Sequence, residues 1–165
     1  MSHHLPLIDP PFSVVLVHPQ IPPNTGNVAR LCAVTGCRLH LVEPLGFSIA
    51  DKDLRRAGLD YWDEVVARIH PSLEAWEATI DPERIHLFTG RGATSLWEAR
   101  FRPGDHLVFG SEQEGLPEEL LQRYPQRTVA IPQRPGLRSL NLSTSVGIGV
   151  YEALRQGMAT IGGAS

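Results

Sequence analysis

The feature that most constrains the fold is a repeated alternation of short apolar runs with segments of helical periodicity. The first apolar run is SVVLVHP (13–19), and comparable runs follow at 38–44, 65–70, 84–89, 106–110 and 128–132. Segments with helical spacing of apolar residues lie at 24–36, 51–58, 72–80, 117–124 and about 140–156. Such alternation predicts an α/β fold, with a mainly parallel sheet of about six strands and helices on both faces.

Length and composition are those of one globular domain. A chain of 165 residues can bury about two-thirds of its unfolded surface, and 42% of its residues are hydrophobic. We therefore expect a single domain over 1–165, with loose tails at 1–12 and 157–165. The start of the chain lacks the pattern of a signal peptide, and no apolar run could span a bilayer. We expect a cytoplasmic protein with no membrane partner.

The net charge limits how the protein could bind nucleic acid, and the two cysteines argue against a disulfide framework and a zinc site. A formal net charge of -3 is unlike that of a protein that coats nucleic acid nonspecifically, so any RNA contact must use a local basic patch. Cys32 and Cys37 have a C-x4-C spacing that suits neither a disulfide framework nor a zinc knuckle. Cys32 lies on the apolar face of a helical segment, which is typical of a small buried hydrophobe. We expect no metal site.

The turn after the first apolar run is a candidate anion site. Ligands of parallel sheets collect beyond the carboxyl ends of the strands, and PQIPPNTGNVARL (19–31) follows such an end. Asn24 or Thr25 can cap the helix, and the free N–H groups of a helix start favour an anion. Arg30 could hold a phosphate with both arms of its guanidinium. The alternative is an ordinary strand-to-helix turn with a solvated arginine.

Two further glycine-rich loops follow apolar runs. In FGSEQEGLP (109–117), Glu112 lies between two glycines, in a loop that is either open to a ligand or a plain turn with a solvent-facing acid. TGRGATS (89–95) nearly matches the dinucleotide-binding pattern G-x-G-x-x-G. We discount that match because Pro103 interrupts the next segment before it can form a full crossover helix.

The last helical segment contains unusually small residues. Ser139, Asn141 and Ser143 cluster where it starts, and one of them can serve as the helix cap. Gly147 and Gly149 lie deeper, where each glycine costs about 1 kcal/mol relative to alanine. Their presence indicates that something packs tightly against this helix: a cofactor, another segment of the chain or a partner subunit.

Taken together, these stretches resemble the SPOUT (SpoU–TrmD) RNA methyltransferases, and among them the small tRNA (cytidine/uridine) 2′-O-methyltransferases that act on the wobble nucleotide. The resemblance extends from Val14 to Gln156. The matching pieces, in the family's order, are PQIPPNTGNVARLCAVTGCRLHLVEPLGF, DKDLRRAGLDY, FGSEQEGLP and SLNLSTSVGIGVYEALRQ. Four ordered motifs are far more specific than any one of them.

The resemblance implies a deep trefoil knot in the C-terminal part, S-adenosylmethionine bound within it, and a homodimer. It implies catalysis by Arg30, with Asn24 and Asn141 shaping the site, and it places Tyr151 at the subunit interface. The small residues of 139–149 would let the last helix lie close to the cofactor. Carried over position by position, the cofactor-binding residues are Phe88, Gly110, Ile131, Ser139 and Leu140.

The implied substrate is tRNA, bound through its anticodon stem-loop. The local basic patch would consist of Arg55, Arg56, Arg91 and Arg138. Glu114 departs from the family pattern, since many relatives carry a basic or small residue there and an acid would repel RNA phosphate. Two other functions stay open. One is an RNA-binding protein of the same fold without catalysis, and the other is a nucleotide-binding α/β module that uses the 89–95 loop.

Overall fold

The structure, a computed structural model, describes residues 3–50, 52 and 62–162. Its centre is a parallel sheet of seven strands in the order β3-β2-β1-β6-β4-β7-β5. The strands are β1 (Ser13–Val17), β2 (Arg38–Val42), β3 (Val66–His70), β4 (Ile85–Phe88), β5 (Thr94–Ser95), β6 (His106–Phe109) and β7 (Thr128–Ala130). Six of them confirm the predicted apolar runs. The seventh, β5, lies in the 89–95 loop and is too short to leave a periodic signal.

Helices cover both faces of this sheet, as predicted. They are α1 (Pro22–Thr35), α2 (Trp62–Val65), α3 (Leu73–Glu77), α4 (Glu118–Arg123) and α5 (Leu142–Gly162). Short 3-10 turns at Pro82–Arg84 and Pro125–Arg127 lead into β4 and β7. The helix predicted at 51–58 lies outside the described residues.

The buried faces of β1 show how the helices are distributed. Val14 and Leu16 join a core with residues of α1 and α5, while Val15 and Val17 join a core with residues of α3 and α4. All four side chains are fully buried, so β1 is a central strand rather than an edge. Cys32 lies in the first core as a free thiol, as predicted, and burial raises its pKa.

The first helix begins earlier than the sequence pattern predicts. Pro22 and Pro23 form its first turn, and the cap is Ile21 rather than Asn24 or Thr25. Proline suits this place because it lacks the N–H that a first turn leaves unpaired, and its φ is already helical. The predicted end at Gly36 is confirmed, with φ 77° in the left-handed region. Asn24 is thereby freed from capping and becomes available to the site.

The last helix runs beyond the predicted end at Gln156, to Gly162. A Cβ on Gly157 would lie 3.1 Å from Cδ1 of Ile8 and 3.2 Å from Cε2 of Phe12, so the helix lies directly against the N-terminal segment. Ile8 and Phe12 are both buried. Parts of the segments 1–12 and 157–165 therefore pack together, although the sequence predicts loose tails there.

The connection between β4 and β5 crosses another strand. In the sheet β7 lies between β4 and β5, although it follows both in the chain. The loop of residues 89–93 passes over β7, and a Cβ on Gly92 would lie 2.3 Å from the carbonyl carbon of Val129. Only glycine allows this approach. Because β4 and β7 are parallel, the loops that follow them lie at the same end of the sheet.

Candidate functional site

A cavity of about 330 Å³ opens where the loops after β4, β6 and β7 meet the start of α5. This is the carboxyl edge of the sheet, where ligands of parallel α/β folds bind. The cavity is lined by all five residues that the sequence predicts to hold the cofactor: Phe88, Gly110, Ile131, Ser139 and Leu140. Its size lies within the range of small-molecule sites.

Stacked aromatic rings line part of the cavity. The rings of Phe88 and Phe109 lie 4.4 Å apart between centroids, with 19° between their planes. Gly149 of α5 lies against this pair, and a Cβ there would be 3.0 Å from Cζ of Phe88. A Cβ on Gly147 would meet no described atom within 4 Å. The two glycines of α5 therefore have different reasons to be small, and only Gly149 is required by packing within one chain.

The loop after β6 folds back on itself. Ser111 and Gly115 form an antiparallel bridge, and their backbone N–H groups donate to each other's carbonyls over 3.2 and 3.0 Å. A Cβ on Gly110 would lie 2.0 Å from the carbonyl carbon of Gly115, so no larger residue fits at Gly110. Leu116, which follows, is buried against the second core. The loop is thus a fixed wall of the cavity.

Glu112 lies at the tip of this fixed loop and binds the start of α1. Its carboxylate accepts hydrogen bonds from the backbone N–H groups of Gln20 and Ile21 over 2.9 and 2.8 Å, and from Nδ2 of Asn24 over 3.2 Å. The anion that the start of α1 was predicted to attract is therefore supplied by the chain itself. Glu112 is not the solvent-facing acid of the simpler interpretation. Its position between two glycines was the sequence signal, and its partner was not deducible from spacing.

Asn24 and Asn141 are brought together, as the resemblance implies. Nδ2 of Asn141 donates to Oδ1 of Asn24 over 3.2 Å. Oδ1 of Asn141 also accepts from the backbone N–H groups of Ser143 and Thr144 over 2.9 and 3.3 Å, so Asn141 is the cap of α5. The capping prediction thus holds for Asn141. One side chain both starts α5 and ties it to α1.

Arg30 is not part of the cavity lining. It is exposed on α1, six residues after Asn24, which corresponds to about 9 Å along a helix. Among the described residues, none forms a hydrogen bond or ion pair with its guanidinium. The structure therefore leaves the Arg30 guanidinium exposed to solvent and without a partner among the described residues.

The residues predicted to contact RNA are only partly grouped. Arg91 lines the cavity mouth, but its guanidinium is paired with Glu118 over 2.7 Å. Arg138 lies in the segment 132–141, in which every residue is exposed. Glu114 also lines the cavity, and it is exposed. Arg55 and Arg56 lie outside the described residues. Tyr151, predicted at a subunit interface, is 49% exposed on α5.

The described residues show neither a metal-binding cluster nor a membrane-spanning helix. They contain no group of three or more histidine, cysteine, aspartate or glutamate side chains that could hold a metal ion. Within the same residues, no helix combines the length and the apolar character needed to cross a membrane.

The chain is similar in sequence and in overall fold to known methyltransferases. The tRNA (cytidine(34)-2'-O)-methyltransferase of Burkholderia ambifaria is 53% identical over 148 residues, covering 88% of this chain and 95% of the relative. The enzyme of the same name from Aeromonas hydrophila is 46% identical over 146 residues, with 88% and 94% covered. A solved structure from a study of the 2-OH methylation of C/U34 on tRNA has 49% sequence identity and a TM-score of 0.84, covering 90% of this chain and 97% of that one.

A more distant solved structure is an rRNA methyltransferase from Sinorhizobium meliloti with AdoMet bound, which has 24% sequence identity to this chain. The match covers 92% of this chain and 58% of that one, and its TM-score of 0.75 shows a shared fold. The model of the SpoU rRNA Methylase family matches residues 11–151. With that match and with relatives of about half-identical sequence, the chain belongs to the SpoU methylase family.

Proposed function

We propose that the protein transfers a methyl group from S-adenosylmethionine to the ribose 2′-hydroxyl of nucleotide 34 of tRNA, a cytidine or a uridine. The observation that carries the proposal is the meeting of the five predicted cofactor residues around one cavity, beside the pair Asn24 and Asn141. The names of the relatives supply the substrate. The proposal includes a cytoplasmic location, where tRNA is available.

The cavity residues fit this cofactor. Phe88, Leu140 and Leu142 supply apolar surface for an adenine ring, and Gly90 and Gly110 leave the backbone within reach of polar groups. A Cβ on Gly90 would meet no described atom within 4 Å, so this glycine leaves open space at the cavity wall. When bound, S-adenosylmethionine supplies an electrophilic methyl group on a positively charged sulfur.

In this proposal Arg30 acts on the RNA rather than on the cofactor. Its guanidinium keeps its proton in proteins, so it cannot serve as the base. Because it is exposed and unpaired among the described residues, it can bind the phosphate next to the target ribose. From there it orients the 2′-hydroxyl and stabilises the negative charge that develops on the oxygen. Asn24 and Asn141 fix the start of the helix that carries Arg30.

The knot and the homodimer belong to the same proposal. Support for the knot comes from the loop 89–93, which passes over β7, the strand from which the chain continues toward α5. Support for the dimer comes from α5, on which Gly147 faces open space and Tyr151 is half exposed. A second copy that packs there would explain why Gly147 is small.

The RNA contacts are also part of the proposal. Arg91 and Arg138 lie at the cavity mouth and in the exposed 132–141 segment, and we expect Arg55 and Arg56 to extend the same patch. Charge reversal at Arg55 and Arg56 should raise KM for tRNA more than it lowers kcat, because lost phosphate contacts weaken binding before chemistry. An unchanged KM excludes those two residues from the patch.

The test combines calorimetry with S-adenosylmethionine and transfer of a labelled methyl group to tRNA, followed by mapping of the modified nucleotide. Wild-type protein should bind the cofactor and label nucleotide 34. Arg30→Ala should abolish transfer with cofactor affinity nearly unchanged, and Arg30→Lys, which keeps the charge but loses the fork, should recover only part of the rate. Cofactor and RNA binding without labelling would indicate an RNA-binding protein. Affinity for NAD or ATP alone would indicate a nucleotide-binding module.

A further inference from the structure

Residues 96–102 form a strap between β5 and β6 that is anchored at three positions. Leu96, Ala99 and Phe101 are buried in the core beneath α5. The backbone of Ala99 and Phe101 is held by the side chain of Gln156, through bonds of 2.9 and 2.8 Å. The strap therefore has a fixed backbone.

Trp97 is displayed on this fixed strap. It is 70% exposed, whereas the other two tryptophans, Trp62 and Trp76, are 7% and 1% exposed. Its backbone N–H donates to Oγ of Ser95 over 3.2 Å, and the N–H of Leu96 donates to the carbonyl of Ala130 over 2.8 Å. The indole is thus presented to solvent from an ordered backbone, which keeps the entropy lost on binding small.

The position of Trp97 relates it to the site already described. Because all strands are parallel, the carboxyl end of β5 lies at the same edge of the sheet as those of β4, β6 and β7. Trp97 follows β5 by two residues, and the neighbouring strand β7 leads into Ile131, which lines the cavity. Trp97 therefore lies on the flank of the site, beyond the cavity itself.

The charge around Trp97 favours a polyanion. Arg100 and Arg102 follow on the strap and are exposed, and their guanidinium groups have no partner among the described residues. Glu98 is exposed as well, so the strap carries a net charge of about +1 from two arginines and one glutamate. An exposed indole beside free guanidinium groups is the combination with which proteins stack unpaired bases and contact the flanking phosphates.

We propose that Trp97 stacks on an unpaired base of the RNA substrate that is not the base of the target nucleotide, while Arg100 contacts the adjoining phosphate. This inference rests on the proposed function and extends the RNA footprint from the cavity mouth along the β5 edge of the sheet. It gives the protein a way to recognise single-stranded loop RNA next to a stem, despite its acidic net charge.

Tryptophan fluorescence provides a direct test, because Trp97 is the exposed member of the three. An RNA hairpin with the sequence of an anticodon stem-loop should quench the tryptophan emission at the wavelength typical of a solvent-exposed indole. A blunt duplex with the sequence of the same stem should not quench it. Trp97→Phe should remove this signal while keeping a ring that can stack. Emission that stays unchanged at RNA concentrations that saturate methyl transfer overturns the proposal.

Kinetics with matched variants separate stacking from structure. Trp97→Ala should raise KM for tRNA by about 5-fold or more with kcat nearly unchanged, and Trp97→Phe should stay close to wild type. Arg100→Ala should remove about one phosphate contact. The slope of the logarithm of the binding constant for RNA against the logarithm of the salt concentration should then become shallower by about 0.7 to 0.9. An unchanged KM in Trp97→Ala overturns the inference, and so does a free protein whose Trp97 is already shielded from acrylamide by a second copy.

Failure of the proposed Trp97 contact can be distinguished from failure of the proposed function. If wild-type protein transfers no methyl group but the hairpin still quenches Trp97, the proposed activity is wrong and the RNA contact stands. If transfer is normal and Trp97 does not respond, the activity stands and the contact is wrong.

Discussion

Asn141 donates its side-chain amide to Oδ1 of Asn24 over 3.2 Å, although 117 residues separate the two in the chain. Each partner has a second contact. Asn141 caps α5, and Asn24 donates to Glu112, whose carboxylate also holds the loop before α1. One line of hydrogen bonds therefore joins the starts of two helices to the loop after β6. We infer that this line sets the positions of the cavity wall and of Arg30 relative to each other.

Asn141→Ala should impair both the fold and the site. Loss of the cap should lower the free energy of unfolding by about 0.5 to 2 kcal/mol, and Oδ1 of the buried Asn24 loses its donor. Affinity for S-adenosylmethionine should fall as well, because Ser139 and Leu140 directly precede the cap and line the cavity. Urea unfolding and calorimetry measure the two effects.

Asn141→Ser is the control for that experiment. Serine can cap a helix, but its side chain is too short to keep the contact with Asn24. It should restore most of the stability and little of the cofactor affinity. If the serine variant recovers both, the link to Asn24 has no role in binding.

The two glycines of α5 form a matched pair for substitution by alanine. Gly149→Ala should destabilise the protein by about 1 to 3 kcal/mol, because the new Cβ would lie 3.0 Å from Cζ of Phe88 and 3.3 Å from Cζ of Phe109. Gly147→Ala meets no described atom within 4 Å, so within one chain it should stabilise the helix by up to about 1 kcal/mol, whereas in the proposed homodimer the added methyl group should weaken the association of the two copies. Thermal unfolding and cofactor titration on both variants check this. Equal effects of the two substitutions would contradict it.

Much of the sheet could be predicted because its central strands are buried on both faces and read as continuous apolar runs. The order of the strands could not. The placement of β7 between β4 and β5 depends on a crossing that only Gly92 permits, and glycine alone does not say what approaches it. The extension of α5 to Gly162 was missed for a similar reason, since the residues that hold it are Ile8 and Phe12 at the other end of the chain.

In the candidate site too, some residues could be predicted from the sequence and others could not. Cavity residues such as Gly110 and Ser139 lie in the motifs that carry the resemblance, and the structure groups them. The role of Glu112 was not deducible, because its three donors lie about ninety residues earlier in the sequence and come together only in the fold. The prediction that Asn24 can cap α1 was wrong for the same reason, since the side chain instead contacts Glu112 and Asn141.

Asp105 is a buried carboxylate whose removal should cost substantial stability. It is 1% exposed, and its Oδ2 accepts hydrogen bonds from Nε2 of His86 over 2.8 Å and from the backbone N–H of Arg102 over 2.9 Å, while its Oδ1 forms an ion pair with Nε of Arg84 at 2.9 Å. Asp105→Asn should lower the free energy of unfolding by about 3 kcal/mol, because it leaves the Arg84 guanidinium without its charge partner. The control is Glu118→Gln, which breaks the exposed pair with Arg91 and should change stability by less than about 1 kcal/mol. Similar losses in both variants would contradict the assignment.

A cluster of three imidazoles should make the protein less stable in acid. Nδ1 of His40 lies 3.0 Å from Nε2 of His70, and the ring of His106 lies 5.8 Å from that of His40 between centroids. Burial, together with the neighbouring His106 and His70 and the guanidinium groups of Arg38 and Arg68, lowers the pKa of His40 to about 4. Burial also lowers the pKa of His70 and of His106.

The direction of this pH dependence follows from the difference in proton uptake between the unfolded and the folded protein. Between about pH 6.5 and pH 4 the unfolded chain binds a proton at His40 that the folded protein does not, so stability falls as the pH falls through this window. Each histidine can contribute at most about 1.4 kcal/mol per pH unit. Urea unfolding across pH 4 to 8 should show a shallower acid slope for His40→Gln than for wild type. Because the carboxylates are the same in both proteins, the difference between the two curves isolates the imidazole, and superimposable curves would contradict the assignment.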